Sequence, residues 1–234
     1  MKLVAIRNCI WEMRPCQDSF ETLPSGMSGK RDLGERVVAD LIAQLGRIAY
    51  GEGFVSGLTP AQWAALRYLS RANRFSRTVS AFAEYHATTR GTASQTIKSL
   101  VNQGYLTRTR SERDGRSARL DVTEKGKTAL ADDPVDILIG AAGALSSTAR
   151  MSLESALERM VRHVAEVYGK CQFGICPSCL YLRGDGSCAE GKPPYECGFF
   201  DEPLVEAELD RLCVNFEPGR NSAMKRTFAE ERPP

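Results

Sequence analysis

The stretch TTRGTASQTIKSLVNQGYLTRTRSERDGRSARLDVTEKGK, residues 88–127, decides the fold. At about 100° per residue, Ala93, Ile97, Leu100 and Val101 share one helical face, and Thr92, Gln95, Lys98, Ser99 and Asn102 share the opposite one. Thr88 or Thr89 supplies an N-cap, Arg90 stands near the helix start, and Gly104 stops the helix after residue 103. Two short strands follow, over residues 105–110 and 118–122. The Asp114-Gly115 pair between them signals a hairpin turn.

The apolar face is made for a core. The opposite face offers short polar and basic groups that can meet base edges or phosphates, as a helix in the major groove must. Arg90 sits where helix N–H groups also favour a phosphate. Any solvated helix shows a polar face, so the hairpin carries more weight. Arg108, Arg110, Arg113, Arg116 and Arg119 fall within twelve residues around one turn. Such a loop has little use as packing and good use beside a narrow, negative minor groove. The predicted DNA contacts are therefore Arg90, Thr92, Gln95, Lys98 and Ser99 from the helix, with Arg108, Arg110, Arg113 and Arg116 from the hairpin.

Outward from this stretch, Thr59 caps a helix with Pro60 at its first position, and Trp63, Leu66 and Leu69 form its buried stripe. A further helix fits residues 79–86. Residues 33–49 space Val37, Leu41, Leu45 and Ile48 at helical intervals, and Gly51 and Gly53 end that run. Downstream, a helix begins at residues 123–130 and Asp133-Pro134 breaks or bends it. Residues 146–168 form a long amphipathic helix with Met151, Leu153, Leu157, Met160, Val161, Val164 and Val167 as its apolar set. Residues 1–30 show no sustained period and read as a poorly ordered leader, in which Met27 is a candidate first residue. The expected fold class is mainly α: a winged helix-turn-helix with long dimerisation helices over residues 31–168. A small cysteine-rich metal-binding module follows at 169–220, and a flexible tail at 221–234.

LTPAQWAALRYL followed by residues 88–127 resembles the MarR family of bacterial regulators. The likeness covers roughly residues 33–168. It lies in the polar-then-leucine helix, the Asn-Gln-Gly-Tyr-Leu exit, the Asp114-x-Arg116 wing and the VTEKG close. The resemblance implies a homodimer with interleaved first and last helices and recognition helices in successive major grooves of a palindromic operator. It also implies Arg116 in the minor groove, Asp114 holding the wing arginines, and repression relieved by a ligand or by oxidation. Gly115 departs from the basic residue often found at that place, and the chain continues well past the dimer helices.

Six of the eight cysteines crowd residues 171–213. Cys171-x4-Cys176-x2-Cys179 with a distant Cys197 has the spacing of plant-type ferredoxins. A second tetrad is Cys176, Cys179, Cys197 and Cys213, similar to small iron–sulfur or zinc modules with one CxxC and two later cysteines. Cys176, Cys179 and Cys197 belong to both tetrads, Cys171 and Cys213 compete for the fourth place, and Cys188 is the spare. Thiolates are soft ligands that suit zinc or iron–sulfur iron. A metal would stabilise a segment too small and too rich in Gly and Pro to fold alone. The spacing and the scarcity of histidine favour an iron–sulfur cluster, [2Fe–2S] or [4Fe–4S], with structural zinc as the alternative. Cys9 and Cys16 read as incidental, and His86 and His163 as packing or surface residues.

Charge divides along the chain. Residues 61–130 hold 13 Lys/Arg against 5 Asp/Glu, a net of +8, whereas residues 171–220 hold 4 against 9, a net of −5. A basic middle suits a polyanion. No run reaches the length of a membrane span or a signal-peptide core, so a cytoplasmic protein is expected. Eight cysteines there point to metal rather than to disulfides. No GxSxG, Walker, HExxH or GxGxxG motif offers a catalytic template, so no enzyme is expected. The expected function is a redox- or iron-responsive DNA-binding regulator, with the metal module beside the dimer helices. Two rivals stay open: a regulator with structural zinc and an organic effector, and an electron-transfer or assembly protein whose winged helix binds a protein.

Overall fold

The computed structural model describes residues 33–51, 57–110, 118–187 and 193–219. The chain divides into two units, residues 1–48 and 49–234. The first contributes most of α1 (Leu33–Gly51), on which Val37, Leu41, Leu45 and Ile48 fall at helical intervals and stay exposed.

In the second unit, α2 (Pro60–Arg71) opens with a reciprocal cap. Thr59 Oγ1 accepts from the Gln62 N–H at 3.3 Å, and Gln62 Oε1 accepts from the Thr59 N–H at 2.7 Å. Thr78 caps α3 (Val79–Tyr85), and Thr89, not Thr88, caps α4 (Arg90–Asn102). Gly104 takes a φ of +78°, the left-handed turn glycine tolerates best, and the chain leaves α4 for a hairpin. Its strands β1 (Leu106–Arg110) and β2 (Ala118–Val122) run antiparallel from Leu106↔Val122 to Arg110↔Ala118. The turn with Asp114, Gly115, Arg113 and Arg116 lies outside the described residues.

Trp63, Leu66 and Leu69 of α2 meet Phe82 of α3, Ala93, Ile97 and Leu100 of α4, and Leu106 and Leu120 of the hairpin in one buried cluster. Each such large side chain contributes roughly 1.5–3 kcal/mol by leaving water. The cluster fixes α3 and α4 at their mutual angle and seats the hairpin beside them. Then α5 (Glu124–Leu130) starts under the exit of α4: Thr123 Oγ1 accepts from the Gly126 N–H at 3.1 Å and donates to the Gly104 carbonyl at 2.7 Å.

Residues 135–145 hold a helix that periodicity did not suggest, α6 (Asp136–Gly143). Asp133 creates it. Its buried carboxylate accepts from the Val135 N–H at 2.9 Å and pairs with Arg67 at 3.1 Å, so the break at Asp133-Pro134 is followed by a fresh helical start. After Ser146, α7 (Ser147–Val167) runs for 21 residues, none of them buried. No helix among the described residues is long and apolar enough to cross a membrane.

The cysteine-rich segment is small but regular. A 3₁₀ turn (Cys176–Ser178) leads into β3 (Leu182–Arg183), β4 (Tyr195–Cys197) and β5 (Glu202–Leu204), an antiparallel sheet in the order β3-β4-β5. One turn of helix, α8 (Glu206–Leu209), closes it.

Candidate nucleic-acid interface and four-cysteine pocket

On α4, Thr92, Gln95 and Lys98 are exposed, as is Arg90 at its start. The Thr92 and Thr89 hydroxyls are 2.9 Å apart, and the Arg90 guanidinium reaches back to Ser80 Oγ on α3 at 3.1 Å, tying the two helices of the helix-turn-helix together. Ser99 is different. It is half-buried, and its hydroxyl accepts from Gln62 Nε2 at 3.0 Å and Gln103 Nε2 at 2.9 Å. Gln62, nearly covered, thus joins the cap of α2 to the recognition helix. Arg108 is exposed on β1. Arg110 belongs to the same strand, while the Arg110 side chain and all of Arg113 and Arg116 lie outside what is described.

One ion-pair system at the base of the hairpin escaped the sequence reading. Arg77 Nη1 donates to Asp121 Oδ1 at 2.7 Å, Arg119 Nε lies 3.0 Å from Asp121 Oδ2, and the Leu120 N–H donates to the Arg77 carbonyl at 2.9 Å. Partial burial pushes the Asp121 carboxyl up, but bonds and charge from Arg77 and Arg119 outweigh it and hold the group below its ordinary value. Arg77 and Asp121 are 44 residues apart, so no local pattern pairs them.

Cys176, Cys179, Cys197 and Cys213 line one pocket together with Asn73, Phe75, Tyr181, Leu182, Phe199 and Phe200. The 3₁₀ turn presents the first two, β4 ends on Cys197, and an antiparallel bridge between Gly174 and Cys213 brings the fourth across. Cys171 is half-buried and does not line this pocket; Cys188 lies outside the described residues. Burial first, and then the neighbouring thiols of Cys213, Cys179 and Cys197 with Glu208, push the Cys176 thiol up to about 12. Burial also raises Cys213, against hydrogen bonds from the Asn73 side chain, the Asn215 backbone and the Ser76 side chain that favour its thiolate. The four sulfurs face one space without closing on it: among the described residues, no three or more His, Cys, Asp or Glu are gathered tightly enough to enclose an ion as they stand.

This segment bonds to the end of α2 and to the loop between α2 and α3. Leu212 bridges Ala72, donating to the Arg71 carbonyl and accepting from the Asn73 N–H, each at 2.9 Å. Arg74 binds Glu202 at 3.3 Å, the Pro203 carbonyl at 2.6 Å and Glu208. Phe75 stacks on Phe200 at 4.1 Å, and Phe173 meets Tyr68 and Tyr85 edge-on.

These helices and this hairpin make a winged helix-turn-helix, a class of fold whose second helix and wing address duplex DNA. Over residues 56–117 the chain is similar to the MarR family, whose model matches there. Solved structures that resemble it include a MarR transcriptional regulator from Methanosarcina mazei Go1, at 26% identity over 56% of this chain and 99% of that one, with a TM-score of 0.45. The transcriptional regulator SlyA is 24% identical over 58% and 96%, with a TM-score of 0.47. FabT of Streptococcus pneumoniae, solved in complex with DNA, is 16% identical over 57% and 96%, with a TM-score of 0.47. No curated protein matches the chain. The cysteine-rich segment lies beyond the residues that the family model matches.

Proposed function

We propose that this protein is a transcriptional regulator, a repressor in its simplest form, that binds operator DNA as a homodimer. We propose further that it responds to iron or redox state through an iron–sulfur cluster held by Cys176, Cys179, Cys197 and Cys213. The observation that carries the reading is the four-thiol pocket built directly against the loop that enters the helix-turn-helix. Four soft donors, aromatic walls and hydrogen-bond donors aimed at a sulfur suit a thiolate-ligated centre. When bound, such a centre ties together three chain segments that nothing covalent joins and supplies a group sensitive to oxidants. DNA binding is supported by the exposed Gln95 and Lys98 of α4 and by the family match across helix and wing. Dimerisation is supported by α7, whose Met151, Leu157, Val161 and Val164 the chain's own core leaves exposed.

One observation favours a second reading, with zinc and an organic effector. Cys171 stands outside the pocket, so the x4-x2 spacing is not within the set, and four cysteines alone are what structural zinc takes. Anaerobically purified protein should be brown and contain iron and sulfide, and its absorption spectrum assigns [2Fe–2S] or [4Fe–4S]; colourless protein with one zinc per chain makes the second reading correct. A gel shift on its own promoter region should show salt-dependent binding, weakened on all sequences by Arg116→Ala. Protein indifferent to duplex DNA at low salt would overturn the regulator reading.

A further inference from the structure

We propose that Asn73 and Ser76 pass the state of the four-cysteine pocket to the DNA-binding surface: both bond the residues that flank Cys213, and the adjoining Arg77 holds the base of the wing. The inference rests on reading those cysteines as metal ligands. It differs from control through the dimer helices, because the route lies inside one protomer and runs through the loop that begins the helix-turn-helix.

Both residues are buried to the limit, at 2% and 0% exposure, in a loop where polar side chains need a reason to be. Asn73 uses its backbone N–H on the Leu212 carbonyl at 2.9 Å and its Oδ1 on the Phe75 N–H at 3.2 Å, and it lines the pocket with Cys213, whose thiolate its side chain favours. Ser76 Oγ accepts from the Val214 N–H at 2.9 Å, leaving its hydroxyl proton to donate. The Ser76 carbonyl accepts from the buried Tyr68 hydroxyl at 2.9 Å, so this residue is clamped on every side. The residues flanking Cys213, Leu212 and Val214, are thereby both bonded to this loop.

Arg77 follows at once. Its Nε donates to the Ala72 carbonyl at 3.1 Å, closing the loop on itself, and its guanidinium and carbonyl grip Asp121 and Leu120 of β2. A metal on Cys213 would fix that residue, and with it Leu212 and Val214, against the loop, and so select one loop geometry. Without the metal, the loop is held by its own bonds alone. Residues in this outer position are positioning residues: they orient a ligand and tune how firmly it binds. Coupling needs only that the two states favour different geometries.

The test compares wild type, Asn73→Ala, Ser76→Ala, Ser76→Thr and Arg77→Ala as full-length protein purified anaerobically. Each is loaded with its native metal and then stripped with a chelator. Metal affinity is read by chelator competition, and DNA affinity on the promoter duplex in both states. Asn73→Ala and Ser76→Ala should lose about 10–100-fold in metal affinity, and their loaded-to-stripped ratio of DNA affinity should fall towards one. Ser76→Thr, which keeps the hydroxyl, should restore both. Arg77→Ala should keep wild-type metal affinity and lose the ratio, which tests the route even where the buried variants fail to fold. Wild-type protein without metal overturns the ligand reading itself. Wild type with metal and a ratio that Arg77→Ala leaves intact overturns this inference alone, as do unchanged metal affinities in folded Asn73→Ala and Ser76→Ala.

Discussion

Gly126→Ala sets two effects of known size against each other. Alanine in place of glycine inside a helix gains at most about 1 kcal/mol. Gly126 is the third residue of the seven-residue α5, where the gain is smaller. Against it, an added Cβ would lie 2.5 Å from the Tyr105 carbonyl oxygen and 2.6 Å from Val122 Cγ1, and contacts under 3.0 Å do not persist. That oxygen cannot step aside, because it belongs to the backbone at the exit of α4 and accepts from the Thr123 N–H at 3.1 Å. So α5 must retreat and loosen the Thr123 cap. Overpacking of this kind costs about 1–3 kcal/mol, which leaves a net loss of about 1–2 kcal/mol. At about 2–4 °C per kcal/mol for a chain of this size, Tm falls by roughly 2–8 °C. Gly140→Ala in α6, where nothing lies within 4 Å, is the control and should melt at or slightly above wild type. Thermal unfolding followed by circular dichroism decides. A Gly126→Ala protein as stable as wild type would refute the packing of α5 beneath the recognition helix.

Gln62→Ala strips a partner from both the Thr59 N–H and Ser99; denaturant unfolding should show a loss of about 1–2 kcal/mol, with weaker DNA binding in gel shifts. Bonds and charge from Arg77 and Arg119 hold Asp121 below the ordinary carboxylate range, so its contribution, about 1 kcal/mol, is full above that range and fades as pH falls through the lower folded value. Asp121→Asn should remove that part of the acid unfolding curve, and an identical curve would count against the Arg77–Asp121 link. Arg74→Ala breaks contacts with Glu202, Glu208 and the Pro203 carbonyl at once, so limited proteolysis should cut residues 171–219 faster while α2–α5 stay protected.

Much of the fold was legible because its signals are local. Thr89, Gly104 and Thr123 punctuate the chain by hydrogen bonds to groups a few residues away, and the period of Ala93, Ile97 and Leu100 reports their burial directly. The exposed Gln95 and Lys98 follow from the same period. Ser99 lies at the edge of that face, and its hydroxyl also accepts from Gln62, 37 residues away, a partner no local pattern names. The start of α6 depends on Asp133 and on Arg67, 66 residues away, so a window along the sequence saw only a short apolar run. Among the cysteines, spacing named both candidate fourth residues, but which of them reaches the pocket depends on the Gly174–Cys213 bridge, a tertiary event. Asn73 and Ser76 carried no signal at all; a buried asparagine in a loop looks like any turn residue until its partner is known.

The opposite charges of residues 61–130 and 171–220 suggested two modules with separate work, yet part of that contrast is spent inside the molecule. Arg74 meets Glu202 and Glu208, and Arg67 and Arg77 meet Asp133 and Asp121. In these pairs the side chains are between 5% and 32% exposed, so water and salt screen them less than fully solvated pairs, which are worth about 0–1 kcal/mol. Three of the basic residues in the +8 stretch therefore serve docking and wing support before they serve DNA. Among the described residues, the basic side chains left exposed in that stretch include Arg90 and Lys98 of α4 and Arg108 of β1. Arg74, which binds the cysteine-rich segment, and Arg77, which supports the base of the hairpin, stand three residues apart in the seven-residue loop 72–78, so both contacts hang on one short piece of backbone.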